Sequence, residues 1–104
     1  MKYGLAKKID VYSFETNKRD TIIARPSAWH EAALWGASRK GEADEAVSGV
    51  ESTYTWAYFA IKQAGKLDEY GLPAKLDRKA ILAMMDTMTV YMEDLEDGDL
   101  PLAK

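Results

Sequence analysis

The chain has no cysteine and a single histidine, His30. The first absence excludes disulfides, thiolate zinc sites, iron–sulfur clusters and a cysteine nucleophile, and the second excludes a multi-histidine metal site within one chain. Long apolar runs are also missing: none approaches the ~18 residues that mark a membrane span. Met1–Lys8 carries charge, but no apolar stretch follows it, so a signal peptide is not expected. Positive charge is not in excess either. Fourteen Lys and Arg face seventeen Asp and Glu, for a net charge of −3. The basic residues stand in scattered pairs, Lys7-Lys8, Lys18-Arg19, Arg39-Lys40 and Arg78-Lys79. A nucleic-acid surface gathers such residues on one face, so no nucleic-acid partner and no membrane are expected, and the chain reads as soluble and intracellular.

What the sequence does hold is apolar contact surface. At 104 residues it fits a single small domain, residues 1–104, large enough to bury a core without a metal staple. Lys8–Phe14 and Thr21–Arg25 are rich in β-formers and flank the polar turn 15–20, which predicts an N-terminal hairpin. Two strands alone are marginal in water, so the hairpin must pack on helices or join another chain's sheet. Three helices are predicted after it. The first covers 26–39, opened by Pro26-Ser27 and closed near Gly41. The second covers 42–65 and stops at Gly65. A connector with Gly71 and Pro73 follows, with room for one helical turn at Leu67–Tyr70. The third covers 78–95, capped by Asp77, with Ile81, Met84, Met85, Met88, Met92 and Leu95 at helical spacing. The fold class expected is therefore mainly α. An acidic tail, about 96–104, lies beyond the last helix.

The second helix is apolar over more than half its circumference. Tyr54, Ala57 and Ile61 form one face, while Trp56, Phe59 and Ala60 extend it to another side. Such a helix is central in its fold or buried against a partner, and for Trp56 and Phe59 both solutions stay open. Trp29, Trp35, Trp56, Phe59, Met85 and Met92 are the candidate interface residues, because aromatic and methionine side chains dominate protein contacts. Chemistry finds little support. His30 precedes Glu31 directly, which on a helix points the carboxylate about 100° away. The acidic run Glu93–Asp99 lacks the ligand spacing of a calcium loop, with Leu95 in a ligand slot and no closing glutamate. No serine has a nucleophile-elbow context, and no glycine-rich phosphate loop is present. No catalytic residue, cofactor or metal is expected.

The order of Ala24-Arg25-Pro26, then Tyr54-Thr-Trp-Ala-Tyr-Phe-Ala-Ile-Lys-Gln-Ala-Gly65, then an acidic end resembles the small tail assembly chaperones of tailed phages and prophages. Their genes lie between those of the major tail protein and the tape measure protein. The resemblance spans roughly residues 20–96. Trp56 is displaced by one position from the family pattern, and Gln63 stands where arginine is common. The resemblance implies a mainly helical, non-enzymatic protein of the bacterial host cytoplasm. It also implies binding to the tape measure protein, help in tail tube assembly and, in many members, a longer product made by frameshifting. Self-association is expected from the apolar surface. The alternatives are another tail structural or connector protein that uses the hairpin for strand addition, or a small helical adaptor or regulator.

Overall fold

The computed structural model of the chain describes residues 7–38 and 49–94. Its elements run β1 (Lys7–Ser13), β2 (Arg19–Ala24), α1 (Pro26–Ser38), α2 (Gly49–Gln63), a 3₁₀ turn (Asp68–Tyr70), α3 (Arg78–Thr87) and β3 (Met88–Asp94). The three strands form one antiparallel sheet in the order β2-β1-β3. The fold is therefore mixed α/β, which corrects the mainly α class expected from the sequence.

The hairpin forms. β1 pairs with β2 from Lys7 opposite Ala24 to Tyr12 opposite Arg19. Its turn is closed by Ser13 N–H donating to the Lys18 carbonyl at 2.9 Å and Asn17 N–H to the Ser13 carbonyl at 2.9 Å. Asn17 takes the left-handed conformation, φ 58°, which asparagine tolerates better than most residues. The Ser13 hydroxyl accepts from Thr16 N–H at 3.2 Å.

The third predicted helix, 78–95, is half right. Asp77 caps its start, accepting from Ala80 N–H at 2.8 Å, but the helix ends at Thr87 and the chain continues as β3. Met88 is extended, φ −138° and ψ 153°, while its N–H still bonds the Met84 carbonyl. β3 pairs with β1 from Lys7 opposite Asp94 to Ser13 opposite Met88. The methionines misled because Met84, Met88 and Met92 recur every four residues. That interval returns to the same face in a helix and in a strand alike. Thr87, Thr89, Val90 and Tyr91 prefer strands, and the uncovered edge of β1 supplies the partner. Leu95 and the tail 96–104 lie outside the described residues, as do residues 39–48, which hold the predicted end of the first helix and the predicted start of the second.

Period-two burial gives the sheet one inner face: Ile9, Val11 and Ser13 of β1, Ile22 and Ala24 of β2, and Met88 of β3 are buried. The helices pack on that face as a second layer, with α2 touching β2, β3, α1 and α3. Every residue from Thr55 to Ile61 is buried, so α2 is central, with no exposed side over two turns. Gln63 at its end reaches α1, donating to Ser27 Oγ at 2.8 Å and Glu31 Oε2 at 3.2 Å. α2 stops as the sequence predicts. Gly65 sits at φ 73°, with Gly65 N–H bonding the Lys62 carbonyl and Lys66 N–H the Ile61 carbonyl. This is the paired-bond C-terminal motif that favours a left-handed glycine. No helix among the described residues is long and apolar enough to cross a membrane.

Candidate functional site

Sheet polarity creates the first surface. Among the described residues the helices cover only the inner face, so residues alternating with the core positions line an outer face that no described element covers: Lys8, Asp10 and Tyr12 of β1, Arg19, Thr21 and Ile23 of β2, and Thr89, Tyr91 and Glu93 of β3. Tyr91 is 63% exposed and Phe14, just past β1, is 58% exposed. Tyr12 meets Phe14 edge to face, with centroids 5.3 Å apart and planes at 83°. The Tyr12 hydroxyl donates to Asn17 Oδ1 at 2.8 Å, and Thr21 Oγ1 donates to Asp10 Oδ1 at 2.6 Å. A shallow concavity of about 460 Å³ lies over Asp10, Tyr12, Arg19, Thr89 and Tyr91. Lys8 and Arg19 balance Asp10 and Glu93, so the face is aromatic, polar and close to neutral. Such a mixture suits a protein partner better than a polyanion.

The second surface is on α1. Trp29 is 38% exposed and packs on Trp56 of α2, with centroids 5.0 Å apart and planes at 59°. Beside them runs a groove of about 160 Å³ whose walls include Trp29, Trp35 and Gly36 from α1 and Ser52 and Thr55 from α2. Leu34, on the outer side of α1, is 57% exposed.

The six candidate interface residues thus fall in different places. Trp29 and Trp35 line the groove, and Trp35 Nε1 donates to the Leu76 carbonyl at 3.3 Å. Trp56 and Phe59 are each only 7% exposed in the isolated chain. Phe59 meets Tyr58 edge to face at 5.1 Å, with the Lys62 ammonium 5.8 Å from its ring centroid. Met85 and Met92 are partly buried against the core. Phe14, Tyr91 and Leu34 are exposed apolar residues that the sequence reading did not single out. The period-two alternation from Lys8 to Phe14 was the available signal for the first.

Part-buried tyrosine hydroxyls tie these surfaces to the core. Tyr70 donates to Asp20 Oδ2 at 2.6 Å, and Lys66 Nζ lies 3.8 Å from the other oxygen of Asp20. Burial first, then the Asp20 hydrogen bond and charge, raise the Tyr70 phenol well above its ordinary range. Tyr58 donates to the Pro73 carbonyl at 2.7 Å, and burial raises its pKa. Tyr54 donates to the Met88 carbonyl at 2.8 Å. Burial raises its pKa too, partly offset by a backbone hydrogen bond from Val90.

That contact caps a sheet edge. Phe14 N–H bonds the Thr87 carbonyl at 2.8 Å. Because bonded and non-bonded pairs alternate along an antiparallel ladder, the backbone groups of Met88 and Val90 turn away from β1. Tyr54 satisfies two of them and blunts the edge against strand addition. Tyr54→Phe is expected to cost about 1–3 kcal/mol, since it leaves edge groups without their partner. Urea unfolding at unchanged m-value, together with faster amide exchange at Val90, would register the loss.

Among the described residues no three of His, Cys, Asp or Glu converge on a common metal position. Compared with protein-family models, with curated proteins and with solved structures, the chain matches none.

Proposed function

We propose that the chain is a non-enzymatic contact protein, a phage tail assembly chaperone that binds the tape measure protein and helps tail tube assembly. The observation that carries the contact reading is the outer sheet face, which no described element covers, with exposed Phe14 and Tyr91. Aromatic side chains held on a rigid sheet lose little entropy on binding and shield apolar partner segments that otherwise aggregate. The phage reading rests on the resemblance. Ala24-Arg25-Pro26, its strand-exit motif, stands where β2 passes into α1. The mainly helical fold that the resemblance implied is not the fold adopted, so support comes from that motif and from the surfaces.

The test is co-expression of an N-terminally tagged gene, with its native downstream DNA, alongside the tape measure protein of the same gene cluster. Co-purification is expected for the wild-type chain, with loss of at least about thirtyfold in affinity for a Phe14→Glu, Tyr91→Glu double variant whose thermal unfolding is unchanged. A wild-type chain that leaves the tape measure protein uncaptured overturns the phage reading. Equal capture by the double variant overturns the role of the sheet face.

A further inference from the structure

We propose that β3 is a detachable strand. It leaves the sheet while β1, β2 and the helices stay folded, and residues 88–94 then carry α3 on as helix. The inference goes beyond the chaperone reading and does not need it.

The junction is the first argument. α3 ends at Thr87 and β3 begins at Met88, with no residue between them. Neither glycine nor proline occurs from Arg78 to Asp94, so no helix breaker stands at the boundary. Thr87 Oγ1 donates to the Ala83 carbonyl at 3.0 Å, one helical turn back, and Met88 N–H still bonds the Met84 carbonyl. The change to strand is made at Met88 alone, at φ −138° and ψ 153°. Helix growth is easy once a nucleus exists, and α3 is that nucleus.

The apolar pattern is the second. Ile81, Met84, Met85, Met88 and Met92 share one face of a helix, while Met88, Val90 and Met92 share one face of a strand. Met88 and Met92 therefore keep the same side in both forms. Tyr91 is 63% exposed on the strand. It lies three residues after Met88 and seven after Met84, so the helix brings it onto the apolar stripe. Val90 makes the opposite exchange. One stretch of sequence thus satisfies two secondary structures.

Thin cover is the third. β3 is an edge strand. Of its residues only Met88 is buried; Val90 and Met92 are half-buried and the rest are exposed. β1, by contrast, buries Ile9, Val11 and Ser13. A segment with few buried apolar side chains opens at lower free energy than the whole fold. Its departure bares the backbone groups of Asp10 and Tyr12, an edge that an extended segment can pair with.

The ladder supplies the test, on the full chain. Ser13 N–H bonds the Lys18 carbonyl and Phe14 N–H the Thr87 carbonyl. Alternation then assigns the Ile9 and Val11 amides to β2 and the Asp10 and Tyr12 amides to β3. Native-state hydrogen exchange, corrected for intrinsic rates, is expected to be at least about tenfold faster at Asp10 and Tyr12 than at Ile9 and Val11. Lys7 and Asp94 are direct partners across β1 and β3, and the chain has no cysteine. Oxidising a Lys7→Cys, Asp94→Cys variant should therefore clamp the strand and abolish the difference, and reduction should restore it. Thr89→Ala with Tyr91→Ala alters only exposed residues, lowers strand preference and raises helix preference. In that variant the open form should be at least about tenfold more populated, and saturation-transfer NMR should read helical Cα shifts for its residues 89–93. Equal exchange of the two amide pairs in the wild-type chain overturns the proposal. So does an open form of the variant that is undetected or has coil shifts at 89–93.

Discussion

Trp56→Ala is expected to cost the chain about 3–5 kcal/mol of folding stability, the range for deleting a large buried aromatic ring. The indole lies in the Thr55–Ile61 stretch that is buried throughout, and it packs on Trp29 at 5.0 Å. Domains of this size are stable by roughly 5–15 kcal/mol in all, so the thermal midpoint should fall on the order of 20 °C. Trp56→Phe separates packing from polarity. Trp56 Nε1 is buried without a hydrogen-bond partner, and removing an unsatisfied donor returns part of what the smaller ring loses. That variant should lose less than about 2 kcal/mol. Urea unfolding of both variants checks the order. Wild-type stability in Trp56→Ala, accompanied by lost self-association, would move this side chain from the core to an interface.

Alkaline pH should unfold the chain through three phenols. Tyr54, Tyr58 and Tyr70 all have pKa values raised above the ordinary 10.0, with burial as the leading cause. The folded state therefore holds its phenolic protons more tightly than the unfolded state. Their contribution is fully present below the unfolded pKa of about 10 and is lost as pH rises through the folded values. A phenol that is ionised in the unfolded state and protonated in the folded one contributes a slope of at most about 1.4 kcal/mol per pH unit. Tyr70 should dominate, because ionising it would set a phenolate against the Asp20 carboxylate 2.6 Å away. Urea midpoints followed upward from about pH 8 should stay level as far as these groups are concerned, then fall steeply above about pH 10. Phenolate absorbance from the buried rings should appear together with the loss of helical signal. In Tyr70→Phe the alkaline loss of stability should shrink more than in Tyr54→Phe or Tyr58→Phe, even though Asp20 then loses a hydrogen-bond donor.

The parts of this fold that were legible in sequence are those written by residues with one local meaning. Asp77 announces a helix start and Gly65 a helix stop, and both act as read. The two β-rich runs around a polar turn announce the hairpin. β3 was not legible, because no glycine or proline marks the junction at Thr87–Met88 and four-residue spacing fits two secondary structures. Its identity is decided by the free edge of β1, a tertiary fact that overrides local pattern. For the candidate site, apolar residues around the whole of α2 were visible, but such a helix has two solutions. The sheet on one side, with α1 and α3 on others, supplies the intramolecular burial of Trp56 and Phe59. Phe14, Tyr91 and Leu34 are not interface candidates in the sequence for the opposite reason. Each is an apolar residue whose significance depends on which face of an element is left open.

The strand order has a consequence for how the protein is made. The central strand, β1, is the first described element to leave the ribosome and β3 is the last, so Lys7 and Asp94 meet across a separation of 87 residues. The β1–β2 hairpin can close early, but two strands do not hold by themselves. Until Met88–Asp94 emerges, the nascent chain must carry the inner residues Ile9, Val11 and Ile22 without their full cover. Long-range closure of this kind slows folding and prolongs exposure of apolar surface. A stalled or truncated product ending before Met88 should therefore be the species that host chaperones and proteases recognise.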